Sequence, residues 1–252
     1  MILVLSIANT MQSKKYMLKD LQKELEENAD EKQAAVLRRF FKTGKGEYGE
    51  GDRFLGIKVP AQREICKKYA GLGLPDLRKL LNSKIHEERF CALAILGIKY
   101  KKAGEADKKN IFDFYLQNAE RINNWDLVDL SAPNIAGDYL SDKDRKILYE
   151  FAKSDNLWKK RIAILSTFAF IKGKDFDDAL RIAEMLLPDE HDLIHKAVGW
   201  MLREIGKRDM AAEEKFLRKH YKKMPRTMLR YAIEKFAKDK KDFYMGRNVR
   251  LS

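Results

Sequence analysis

The sequence predicts an all-α protein, and more narrowly an α-solenoid, on three observations. Apolar residues recur at helical spacing almost from end to end, strand-like alternation is absent, and the helical register repeats every 34 to 36 residues. The composition agrees, since 45% hydrophobic and 35% charged residues with only 5 Pro supply a core and few helix breakers. A length of 252 residues suits one elongated domain. We therefore expect a single α-solenoid domain over 1–252, with the array at about 12–240 and flexible ends at 1–11 and 241–252.

The helices can be justified in order. Leu18, Leu21 and Leu25 mark the first amphipathic face, AVLRRFF (Ala35–Phe41) the second, and IFDFYL (Ile111–Leu116) a later one. Breaks fall at Gly44–Pro60, Gly71–Pro75, Gly104, Ser131–Gly137, Gly173–Asp175, Pro188 and Pro225, which divides the chain into about a dozen helices with short connections. Pro60 suits the first position of a helix, where a missing N–H costs nothing. Phe90–Tyr100 and Ile162–Ile171 are apolar on nearly every face, the pattern of a buried inner layer.

The repeat emerges when Arg89 in ERFCALAIL is set on Arg161 in KRIAILSTF, 72 residues later. Residue 125 lies midway, and the register continues through Lys196 and Arg230. Stacked repeats bring equivalent positions onto one concave surface. Arg89, Trp125, Arg161, Lys196 and Arg230 would then form a stripe of four cations and one Trp, suited to a phosphate backbone. Net charge supports this expectation: of the formal +13, the stretch from Lys235 to Ser252 contributes +4 and the body +9. A polyanion such as a nucleic acid is the partner such a charge favours.

Several chemistries are disfavoured. Cys66 and Cys91 are far apart and lack metal-ligand spacing, so two buried thiols in a reducing compartment are expected. His86, His191, His195 and His220 form no HExxH or triad spacing, and GKGEYGEG lacks the GK[ST] ending of a phosphate loop. No metal or cofactor is expected. The apolar opening MILVLSIAN has no basic stretch before it, and Met11 could serve as a start, so a cytoplasmic protein, nucleoid-associated when bound to DNA, is expected rather than a secreted one. The longest apolar runs are too short to span a bilayer.

The segment INNWDLVDL (Ile122–Leu130) stands out in this Lys-rich chain. Asn123 or Asn124 is a natural N-cap, which would start a helix at Trp125. Trp125 and Asp129 then share a face at i,i+4, while Asp126 turns away and supports the helix start. A second pair, Trp200 and Arg203, shares a face at i,i+3 in GWMLREIGKR.

Five ordered segments, GDRFLGIKVPAQR (Gly51–Arg63), NNWDLVD (Asn123–Asp129), LWKKRIAIL (Leu157–Leu165), HKAVGWMLREIGKRD (His195–Asp209) and MPRTMLRYAIEKF (Met224–Phe236), resemble the AlkD family of alkylpurine DNA glycosylases. The resemblance spans about Lys32 to Lys238. It implies HEAT-like helical repeats curved around a basic concave groove that holds duplex DNA. It further implies hydrolysis of the N-glycosidic bond of cationic N3- or N7-alkylated purines, without a cofactor and without enclosing the base in a pocket.

Carried over by motif, the resemblance makes Asp129 the catalytic carboxylate and makes Trp125 and Trp200 its aromatic flanks. Arg161, and less directly Arg203, would contact phosphates, as could Lys58 in the loop before Pro60. A monomer is expected, because a solenoid needs only its own repeats. The competing reading is a non-catalytic HEAT-repeat protein that binds damaged or branched DNA through the same groove.

Overall fold

The computed structural model of the protein describes residues 17–246. Of the expected flexible ends 1–11 and 241–252, residues 1–11 and 247–252 lie outside the described residues. Residues 241–246 do not, and helix continues through them to Tyr244, whose ring is buried.

Fourteen α-helices occur among the described residues, with no strand. In chain order they are α1 (Leu18–Glu27), α2 (Glu31–Phe40), α3 (Val59–Lys68), α4 (Leu74–Leu81), α5 (His86–Lys102), α6 (Glu105–Gln117), α7 (Trp125–Ser131), α8 (Lys146–Ala152), α9 (Leu157–Lys172), α10 (Asp177–Met185), α11 (Asp192–Gly206), α12 (Met210–His220), α13 (Arg226–Ala232) and α14 (Lys238–Tyr244). Pro60 stands second in α3, because Val59 already takes the first position. No helix among the described residues is long and apolar enough to cross a membrane.

Alternate helices form the two layers of an α-solenoid. From α3 the odd-numbered helices stack in sequence, α5 on α3, α7 on α5, α9 on α7, α11 on α9 and α13 on α11. The even-numbered helices α4, α8, α10 and α12 flank this row, each packed on an odd-numbered neighbour. The expected inner helices are in the row: α5 and α9 bury residues on all sides, including Phe90, Leu93 and Leu96 in one and Ile162, Leu165 and Phe170 in the other. One apolar core runs from Leu21 to Tyr244. Cys66 and Cys91 are both buried, free thiols within it.

Two local devices set the row's spacing. The helix begun at Trp125 is short, passing through a π-helical turn at Pro133–Gly137 that packs on α9. In α11, a Cβ at Gly199 would lie 2.4 Å from the Met228 carbonyl oxygen and 2.5 Å from Tyr231 Cβ. Only glycine lets α11 and α13 approach so closely.

Helix α2 docks separately, through a small cluster of Ala34, Phe41 and Phe54 with Leu37 and Trp125 against it. This places the end of α2 beside the start of α7.

Candidate functional site

The short helix α7 starts where its sequence directs. Asn124 is the cap, its side-chain oxygen accepting the Trp125 N–H at 2.8 Å. Trp125 stacks on Phe41, with ring centroids 5.1 Å apart and planes 15° off parallel, and meets Phe40 edge-on at 5.8 Å. Asp126 supports the helix start by accepting the Leu127 N–H at 2.8 Å. Its other oxygen lies 2.8 Å from His86 Nε2.

Asp129, one turn on, is held by Arg161 of α9. The guanidinium donates from Nε to Oδ1 and from Nη2 to Oδ2, both at 2.8 Å, while Nη1 donates to the Leu193 carbonyl at 2.7 Å. This is the bidentate geometry that fixes a carboxylate in orientation as well as position. Burial pushes the Asp129 carboxyl up; Arg161 pulls it down and Asp126 pushes it up again, leaving it above the ordinary aspartate range.

These two side chains line a hollow of ≈ 840 Å³ bounded by the loop after α2 and by α7, α9, α11 and α13. Six of the nine residues anticipated from sequence meet in it: Trp125, Asp129, Arg161, Lys196, Trp200 and Arg203. Lys196 is paired with Asp192 at 2.6 Å, and Arg203 with Glu234 of the turn after α13. The Trp200 indole N–H donates to Glu204 Oε1 at 3.3 Å. His191 caps α11, its Nδ1 accepting the Leu193 N–H at 3.1 Å, and burial lowers its pKa, which suits the neutral acceptor form.

The other three lie elsewhere. Arg89 was expected in the stripe of DNA-contacting cations, but it is 3% exposed and paired with Asp52 at 2.6 Å. Its side chain is spent on anchoring the loop between α2 and α3, and it does not line the hollow. Arg230 sits on α13, exposed, with a hydrogen bond to Thr227 Oγ1 at 3.3 Å, and does not line the hollow. Lys58 is the exposed residue preceding α3. Arg161 itself is 4% exposed. A phosphate would have to compete with Asp129 and Leu193 for it.

The hollow is not uniformly basic. Lys42, Arg161, Lys196 and Arg203 are matched in its lining by Glu47, Asp129, Glu190 and Asp192. Motif reasoning also missed aromatic members: Phe40, which is 61% exposed, Tyr48 and Tyr231. Tyr48 carried a signal, a lone aromatic among four glycines in GKGEYGEG, but one that only tertiary structure turns into a position.

Behind the hollow, α5 grips the loop that leads to it. Glu87 accepts backbone N–H groups of Leu55, Gly56 and Ile57 at 3.0, 2.9 and 3.3 Å. His86 is stacked on Phe54 at 4.6 Å and lies between Asp126 and Asp52, the latter 3.6 Å away. Burial alone would lower its pKa, but the two carboxylates prevail over that and over Arg89, and hold it at about 9.

Comparison with known proteins agrees with this architecture. A predicted DNA alkylation repair enzyme from Enterococcus faecalis superimposes with a TM-score of 0.66 at 17% identity, over 84% of this chain and 98% of that one. The crystal structure of AlkD2 from Streptococcus mutans gives 0.50 at 18% identity, over 88% and 100%. These likenesses speak to the fold. A search of curated protein sequences found no match. A family model described as DNA alkylation repair enzyme matches residues 21–236, a span that includes every helix lining the hollow. The chain belongs to the DNA alkylation repair enzyme family.

Proposed function

We propose that the protein is a DNA glycosylase that hydrolyses the N-glycosidic bond of cationic N3- or N7-alkylated purines in duplex DNA. The observation that carries this reading is Asp129, fixed by two hydrogen bonds from Arg161 in a hollow it shares with Trp125 and Trp200.

An alkylated purine already bears positive charge. When the bond from C1′ to the purine nitrogen breaks, its electron pair neutralises that charge, and the base departs without prior protonation. The deoxyribose left behind has oxocarbenium character. A fixed carboxylate stabilises such a cation and accepts a proton from the water whose oxygen bonds to C1′. Each Asp129 oxygen keeps an acceptor site beyond the one Arg161 occupies. The raised pKa suits the proton acceptance, since a base is most effective when its pKa approaches the working pH. Trp125 and Trp200 offer electron-rich faces to the sugar or base cation, each worth roughly 0.5–2 kcal/mol according to desolvation. Neutral lesions such as uracil or hypoxanthine gain nothing from this arrangement and are expected to be retained.

The test is single-turnover base release from duplex DNA carrying N7-methylguanine. Asp129→Asn should bind the duplex with near-native affinity and release the base at least ~100-fold more slowly, the scale at which removing one pre-organised electrostatic partner acts. Unchanged release would remove Asp129 from the chemistry. Binding by wild type without any release would favour the competing reading of a non-catalytic protein for damaged or branched DNA.

A further inference from the structure

Trp125 and Asp129 both stand on α7, a helix of only seven residues, so their placing depends on what holds its first turn. The cap and the first acid of that turn are both held from behind. Asn124 donates from Nδ2 to Asp52 Oδ2 at 3.5 Å, and Asp126 lies 2.8 Å from His86 Nε2. Asp126 is thereby fixed at both oxygens, by His86 and by the Leu127 N–H. His86 and Arg89 meet the same Asp52, at 3.6 and 2.6 Å, so one buried cluster joins α5, the loop after α2 and the start of α7.

His86 is the member of this cluster that the bond-breaking step leaves unused. Its Nδ1 reaches Asp52 only at ion-pair distance, whereas Nε2 is at hydrogen-bond distance from Asp126, so its firmer hold is on α7. Phe41, 5.0 Å from the imidazole, is also the ring on which Trp125 stacks. Burial opposes a charge on the ring. Asp126 of α7 and Asp52 of the loop prevail over burial and over Arg89 of its own helix, so both nitrogens carry protons up to about pH 9.

We propose that His86 is a positioning residue for Asp129 and Trp125: its imidazolium fixes the start of α7 through Asp126 and offsets there the negative charge that would otherwise act on Asp129. Burial raises the Asp129 pKa, Arg161 of α9 lowers it, and Asp126 raises it. Tyr115 of α6 adds no charge, because burial pushes its phenol up. In the hollow, Lys42, Lys196 and Arg203 stand against Glu47, Glu190 and Asp192, a balance that a change at His86 or Asp126 leaves intact. Without the His86 charge, the push from Asp126 on Asp129 is uncompensated. Without the Asp126 charge, the push is gone and a cation remains. The two changes therefore move Asp129 in opposite directions, which a mere loosening of α7 would not do. The inference rests on the reading of Asp129 as the carboxylate of the site but not on catalysis.

The experiment is an NMR titration of the full chain without DNA, following the Asp129 carboxyl carbon and the His86 ring. Asp129 should titrate at higher pH in His86→Gln than in wild type and at lower pH in Asp126→Asn. The His86 ring should titrate near pH 9 in wild type, and its midpoint should fall by about one pH unit or more in Asp126→Asn, the scale on which an adjacent opposite charge acts. Should His86→Gln fail to fold, the isosteric Asp126→Asn and the wild-type ring decide the matter. An Asp129 midpoint unmoved in Asp126→Asn, a shift of the same sign in both variants, or a wild-type His86 that titrates in the ordinary histidine range would each overturn the proposal. In single-turnover release of N7-methylguanine, the acid limb of the pH profile should follow the Asp129 midpoint, and a limb fixed in both variants would sever His86 from the reaction. Absence of base release with the NMR shifts intact would overturn only the glycosylase reading.

Discussion

At the level of single residues, the pair formed by Asp129 and Arg161 ties stability to chemistry. Both side chains are largely withdrawn from water, and each satisfies the other. Removing one partner of such a pair leaves a charge without compensation, which typically costs 3–5 kcal/mol when burial is complete. Asp129 keeps some exposure, so Arg161→Ala should cost about 3 kcal/mol in urea unfolding. A loss under ~1 kcal/mol would mean that the pair is screened by water. Much of this was readable from the sequence: Asn124 capping a helix at Trp125 and the shared face of Trp125 and Asp129 follow from local chemistry alone. The use to which Arg161 is put was not, because periodicity gives the direction of a side chain and not the partner that waits 32 residues away.

Elements carry a second set of consequences. Helices α11 and α13 contribute Trp200 and Tyr231 to the same hollow, and their separation is set by Gly199. Gly199→Ala would push a methyl group into the Met228 carbonyl and Tyr231, at an overpacking cost of about 1–3 kcal/mol. A lower Tm by thermal denaturation is expected, and an unchanged Tm would show that the helices can part freely. In α12, Glu213 is buried beside Arg203, and burial with the neighbouring Glu214 prevails over Arg203 to raise its pKa to about 8. From the ordinary value of 4.5 up to about 8, the folded chain holds a proton that the unfolded chain has lost, so stability falls as pH rises through that window. Glu213→Gln removes this slope. The variant should therefore gain Tm relative to wild type as pH rises from about 5 to 9; a constant difference would place the charge elsewhere. These helices were legible as elements from their 3.6-residue pattern, yet their packing distance and buried acid were not, since both depend on which helix lies opposite.

For the whole molecule, excess positive charge should be expressed as salt-dependent DNA binding. An exposed cation that touches a phosphate contributes about one unit to the slope of log K against log salt, and a buried one contributes nothing. We expect Arg230→Ala to reduce the slope by about one unit and Arg89→Ala to lower stability while leaving the slope of the folded fraction unchanged. A reduced slope for Arg89→Ala would contradict its role as an anchor. The solenoid and its period could be read from sequence because each repeat is a local pattern used again. Arg89 shows the limit of that reading: the register assigns a place in the array but cannot reveal that Asp52, on a loop outside the array's period, has claimed the side chain.

The row of odd-numbered helices is assembled by contacts between near neighbours, so most of the molecule can form step by step as the chain emerges. The hollow cannot. Its walls run from Phe40 to Tyr231, which means that its first and last contributors are separated by nearly the entire array. A chain that ends before α13 therefore lacks Tyr231 and with it one wall of the hollow, however much of the row it retains.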